Sequence, residues 1–238
     1  MSAISLENDK KRCEQALPSA ASAALRPPRN AMTSQPKRLP TLPEELATFH
    51  AARSSLYRLV FELLRMPPRP SVFDAAKRTL DELSGAHPAV ERLRQAIGGF
   101  DEQAASRDYG QLFAAPLPKV AMRCKWPNCG VRDAAFSAAD TLAGGERVSE
   151  LHVLAVLAQR AAGAFEEERL LEAAAFSDVQ AKLLSFHAGA CLADLAKELK
   201  AAQTPLYAGI GAALAVLVDE DLQQLGYSGD ERCPPRST

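Results

Sequence analysis

The stretch from Glu44 to Arg65, EELATFHAARSSLYRLVFELLR, decides the fold. Phe49, Ala52, Leu56, Val60 and Leu63 recur along it at steps of three and four, which lines them up on one face of an α-helix and scatters them over both faces of a strand. Pro67, Pro68 and Pro70 close it, because proline has no amide donor and holds the preceding residue away from the helical region.

The same period governs most of the chain beyond Arg65. Helices are expected over Ser71–Leu83 and Pro88–Gln103, with Gly85 and Pro88 between them, and another should hold Tyr109, Leu112 and Phe113. Ala115 to Gly130 reads as a long loop, punctuated by Pro116, Pro118, Pro127 and Asn128, with Trp126, the only tryptophan, in its middle. A tryptophan there either serves a functional loop or plugs a gap between helices. Arg132–Leu142 reads as a helix closed by Gly144-Gly145. Ser149 is a candidate N-cap for the next, with Glu150 in its first turn where the helix dipole favours an acid. Leu151, Leu154, Ala158, Ala161 and Phe165 keep the spacing from there, and Phe176, Val179, Leu183, Phe186 and Ala190 resume it. A break near Gly163 or Ser177 is expected between the two runs, since one helix through to Lys200 would exceed ordinary globular lengths. The last helix is capped by Thr204 and has Pro205 at its first position; Leu206, Ile210, Ala213 and Leu217 are its apolar face, and Gly226 and Gly229 mark its end.

No alternating strand pattern bounded by turns occurs, so the expected class is all-α, a single helical bundle over residues 44–226. Residues 1–43 combine charges with prolines at 27, 28, 36, 40 and 43 and read as a disordered tail, and 227–238 as a C-terminal one. Hydrophobic residues are 47% of the 238, enough for a core. With 28 basic against 29 acidic residues, no positive excess exists to neutralise a phosphate backbone or an anionic bilayer, which argues against nucleic-acid and membrane partners. No run of about 18 uncharged apolar residues suggests a spanning helix. Cys13 to Leu25 is interrupted by Glu14, Gln15 and Pro18, unlike a secretory signal, so a soluble cytoplasmic protein is expected.

No catalytic or metal-binding motif is complete in this chain. A di-iron bundle needs Glu three residues before His, and Ala47, Ser84, Ser149 and Leu184 precede His50, His87, His152 and His187 at that distance. Cys124 and Cys129 are the one close pair among five cysteines, and no second pair follows to complete a zinc site. No nucleophile elbow, zinc-protease helix or phosphate-binding loop is present, so neither cofactor nor catalytic residue is assigned. His187 reads as a core imidazole, Cys191 as a small packed hydrophobe, Glu150 as a capping acid and His152 as a surface histidine. Glu166, Glu167 and Glu168 with Arg169 read as a solvated face or helix start.

Four blocks carry a resemblance by their order and spacing. They are Arg53-Ser54-Ser55-Leu56-Tyr57-Arg58-Leu59-Val60-Phe61 before Pro67-Pro68; Asp108-Tyr109-Gly110-Gln111-Leu112-Phe113; Asp178-Val179-Gln180-Ala181-Lys182-Leu183-Leu184; and Thr204-Pro205-Leu206-Tyr207 leading to Leu217-Val218-Asp219-Glu220. Over about Glu44 to Leu225 the chain resembles the TorD/DmsD/NarJ family of redox-enzyme maturation chaperones. The run from Ala175 to Leu184 looks closest to the branch serving chlorate reductase, selenate reductase, dimethylsulfide dehydrogenase and ethylbenzene dehydrogenase. The resemblance implies an all-helical cytoplasmic protein that is not an enzyme. It would bind the apo catalytic subunit of a molybdopterin-containing oxidoreductase, or its twin-arginine signal peptide, until the cofactor is inserted. Many members carry Pro-Asp-His where this chain has Val148-Ser149-Glu150, so what that motif does in the family is not carried over.

Holding a client requires an apolar groove with a polar rim that permits release. Tyr57, Tyr109, Trp126 and His152 are the candidate lining residues, and Glu150 an exposed candidate beside the altered motif. The alternative is a helical ligand-binding regulator or adaptor unrelated to molybdoenzymes.

Overall fold

The computed structural model describes residues 43–83, 85, 87–99, 101–114, 120, 129–140, 147–202 and 204–225, and every regular element among them is helical. The described elements are α1 (Pro43–Arg65), α2 (Pro70–Glu82), α3 (Pro88–Gly98), α4 (Glu102–Tyr109), α5 (Gly130–Ala138), α6 (Arg147–Glu166), α7 (Leu170–Leu183), α8 (Gly189–Lys200) and α9 (Pro205–Gln224), with π-helical turns at Gly110–Ala114 and Leu184–Ala188. The all-α class read from periodicity is what the chain adopts. Of the predicted tails, Pro43 opens α1, while residues 1–42 and 226–238 lie outside the described residues; so do Trp126, Cys124 and Gly144-Gly145.

α6 is the centre. Leu151, Val153, Leu154, Ala155, Leu157, Ala158, Ala161 and Ala164 are all fully buried, so the helix is enclosed nearly all round instead of showing one stripe to a core. α1 packs along one side of it and α7 along another, while α8 and α3 flank α9. Close approach on α9 depends on two glycines. A Cβ on Gly209 would come within 2.5 Å of the Ala96 side chain on α3, and one on Gly211 within 2.7 Å of Leu199 on α8. These contacts join α1, α3, α6 and α9 into one continuous core that includes Leu56, Leu93, Leu154, Leu195 and Leu214. No described helix is long and apolar enough to cross a membrane.

α5 runs over Gly130–Ala138 where the spacing predicts Arg132–Leu142, and four further features differ from the sequence reading. α3 stops at Gly98 instead of reaching Gln103, because Asp101 Oδ1 accepts the amides of Gln103 and Ala104 at 2.9 and 3.1 Å and starts α4 there. α6 begins at Arg147, which leaves Glu150 in the first turn but puts Ser149 inside the helix rather than at its cap. The break before α7 falls at Glu167–Arg169 and at neither Gly163 nor Ser177. Glu168 takes a left-handed φ of +56° there; its amide donates to Phe165 O and that of Arg169 to Ala164 O, the paired hydrogen bonds of a Schellman close. Finally, the π turn at Leu184–Ala188 inserts a residue into the helical register, so Leu184, His187 and Ala188 are buried while Ala190 is exposed. The single face predicted from Phe176 through Ala190 is therefore split.

Candidate functional site

Arg53 and Tyr57 are one turn apart on α1 and point into the core, which forces each to find a partner there. They find the same one. Arg53 donates from Nε to Asp221 Oδ1 and from Nη2 to Oδ2, both at 2.7 Å, and the Tyr57 hydroxyl donates to Oδ2 at 2.6 Å. Asp221, on α9, is only 1% exposed. Gln180 of α7 completes the join: its Oε1 accepts from Arg53 Nη1 at 3.0 Å and its Nε2 donates to Leu154 O of α6, also at 3.0 Å. One guanidinium thus ties α1, α7 and α9 together. Burial acts to lower the pKa of Arg53, but Asp221 and Tyr57 more than offset it and hold the group above its ordinary value. Burial first, then Asp221, raises the Tyr57 phenol well above its ordinary range, so it stays a neutral donor.

His50 sits at the edge of this network. Its Nδ1 is 3.3 Å from Arg53 Nη1, and a guanidinium can only donate, so Nδ1 accepts and the proton sits on Nε2, 3.3 Å from Ser177 Oγ. The ring stacks on Phe165 with centroids 5.5 Å apart and meets the edge of Phe49 at 5.3 Å. Burial, then the charge of Arg53, pushes its pKa down to about 3.

A second buried centre joins α5, α6 and the π turn. Arg132 Nε donates to Glu150 Oε1 at 2.7 Å, and His187 Nε2 lies 3.2 Å from the same oxygen. Cys191 Sγ is 4.0 Å from that same nitrogen. A thiol, an imidazole and a carboxylate in proximity suggest a nucleophile relay, but a relay needs the base to reach the two partners through opposite ring nitrogens. Here both approach Nε2, and all three residues are at most 2% exposed. The arrangement clamps helices and is closed to substrate.

The five candidates from the sequence are not gathered in one place. Tyr57 and Glu150 are each 0% exposed, so the expectation that Tyr57 lines a groove and that Glu150 is exposed is overturned: each is consumed by a buried ion-pair network. Tyr109 is half-buried and rests on Phe113 at 4.9 Å, and Phe113 meets the edge of Tyr207 at 5.5 Å. His152 is half-buried against Phe61 at 5.1 Å, its pKa lowered by burial and then by Arg58. Trp126 lies outside the described residues. Sequence reasoning missed Asp221, Gln180 and Arg132, although a signal existed for the first. Asp221 falls in register with Leu214, Leu217 and Val218 on the apolar face of α9, and an acid there has to be paired.

Open space lies elsewhere: smaller grooves run along α6, and two larger ones lie at the start of α1. One groove of about 500 Å³ is lined by Glu44, Glu45, Thr48, Phe49, Arg53 and His87. A second, of about 580 Å³, shares Glu44 and Thr48 with it and adds Pro43, Phe165, Glu166 and Glu168. The described residues hold no cluster of three or more His, Cys, Asp or Glu able to bind a metal ion.

Comparison with known proteins adds no relative. No family model, curated protein or solved structure matches the chain.

Proposed function

We propose that this chain is a cytoplasmic assembly chaperone, not an enzyme, that holds the cofactor-free catalytic subunit of a molybdopterin-containing oxidoreductase. One observation carries the reading. The sequence blocks that resemble the redox-enzyme maturation chaperones come together in space, the first and third at the residue that follows the fourth, 168 positions from Arg53 along the chain, and the second at the fourth. Arg53 and Tyr57 of the first block bind Gln180 of the third and Asp221, the residue directly after the fourth. Phe113 of the second touches Tyr207 of the fourth. Blocks that are individually ordinary amphipathic helix thus share a common structural task, which gives their succession more weight than chance similarity would have.

The client reads as a subunit of the chlorate reductase or dimethylsulfide dehydrogenase type, with its mature portion or its signal peptide as the recognised part. Tagged chain expressed with such a subunit should co-purify with the cofactor-free form in preference to the loaded one. Equal capture of both forms, or of neither, contradicts the proposal.

A further inference from the structure

The large hydrophobic side chains most open to water among the described residues are neighbours. Leu170 and Leu171, in the first turn of α7, are 52% and 91% exposed. Further along the helix Ala174, Ala175, Asp178 and Lys182 are exposed as well. Leu171, Ala175, Asp178 and Lys182 follow one another at steps of four, three and four, so they share one face of α7, with Ala174 at its side. The opposite face, with Ala173, Gln180 and Leu183, is the one buried against the rest of the protein. Charge is divided between the two ends of the open face. Glu167 and Glu168 directly precede α7, and Lys182, the only basic residue within it, lies in its last turn. Arg169 is shared by Glu167 and Glu172, which leaves Glu168 without a cation of its own among the described residues. Lys182 pairs with Asp178 at 2.6 Å, and both stay about half exposed.

We infer that this face of α7 pairs with the same face of a second copy of the chain, the two helices running antiparallel about a two-fold axis at Ala174 and Ala175. The face is its own complement. Antiparallel pairing in that register sets Lys182 of each copy opposite Glu167 and Glu168 of the other, whereas parallel pairing would set acid against acid and lysine against lysine. The helix dipoles agree, since antiparallel neighbours bring opposite ends together. Packed helices lie about 8 to 10 Å apart, and alanines at the axis allow the near end of that range. Each Leu171 then rests on Ala174 and Ala175 of the other copy and leaves the water that surrounds it in the single chain. A contact of this kind uses one patch twice and closes on itself, so it makes a dimer and not a chain of copies.

The pairing stands apart from the chaperone reading and is tested on the full chain alone, by sedimentation equilibrium over a dilution series. The chain should pass reversibly from dimer to monomer as it is diluted. Leu171→Ser should raise the dissociation constant at least tenfold with the circular dichroism spectrum unchanged, since the side chain it alters is exposed in the single copy. Lys182→Glu should weaken the dimer severalfold, and adding Glu167→Lys and Glu168→Lys to the same chain should restore it, a recovery that a merely structural role for Lys182 would not produce. A chain that is monomeric at every concentration, a dimer indifferent to Leu171→Ser, or no recovery on exchanging the charges would overturn the assignment. It would equally be overturned by a chain that is monomeric with or without Leu171→Ser and loses capture of the catalytic subunit on that change, which would give the face to the client.

Discussion

At the scale of single residues, the Arg53–Asp221 pair decides how firmly three helices are joined. Its desolvation is offset by the hydrogen bonds that Arg53, Asp221, Tyr57 and Gln180 make among themselves, but removing one partner strands a charge in the core. Asp221→Ala should cost about 3–5 kcal/mol in urea denaturation, whereas replacing both Arg53 and Asp221 with apolar residues of similar volume should cost much less. Equal losses in the single and double variants would contradict this account. His50 gives a pH dependence with a definite sign. Its folded pKa of about 3 lies below the unfolded value near 6.5, so between the two the unfolded chain binds the extra proton. The contribution is complete above pH 6.5 and is lost as pH falls toward 3, by up to about 1.4 kcal/mol per pH unit. His50→Gln, whose amide oxygen still accepts from Arg53, should flatten that slope in melts taken between pH 4 and 7. An unaltered slope would show that other groups set it.

At the scale of elements, the sequence reading succeeded where periodicity and a terminator agreed. α1 is bounded by Pro67 and Pro68 and α9 by Thr204 and Pro205, and both begin or end within about a residue of expectation. It failed where the decisive residue carries no local signature. Glu168 ends α6 in a conformation normally left to glycine, so nothing in its side chain announces a stop. Glu168→Gly should accordingly raise stability by about 1 kcal/mol in thermal or chemical unfolding. A loss instead would mean the carboxylate makes a contact that outweighs the backbone strain. The π turn was likewise illegible, since one inserted residue looks like a small irregularity in the apolar spacing. Gly189 follows it directly, and a Cβ there would come within 2.4 Å of the Leu184 carbonyl oxygen, a backbone atom that cannot swing away. Gly189→Ala should therefore destabilise the protein by about 1–3 kcal/mol, and a neutral effect would show that the turn can revert to α-helix without cost.

At the scale of the whole molecule, class and core were readable and the site was not. Apolar residues announce their burial by spacing, and the core that joins α1, α6 and α9 contains most of those picked out by period. Polar residues do not announce theirs. Glu150 has the same first-turn position whether it is a solvated capping acid or, as here, a buried partner of Arg132 from another helix. Tyr57 and Asp221 are bound to one another across 164 positions, a pairing that no local pattern encodes. Grooves are harder still, because at the start of α1 one arises where α1 meets the end of α6 and the other where α1 meets His87, and both joinings are tertiary facts. The measurement that bears most directly on the proposed function is the molybdopterin content of the catalytic subunit purified from a strain lacking this chain and any substitute chaperone. The expected result is a subunit present but largely empty of cofactor, restored by returning the gene, with the chain itself absent from the finished enzyme. Full cofactor content in every molybdoenzyme of the deletion strain would contradict it.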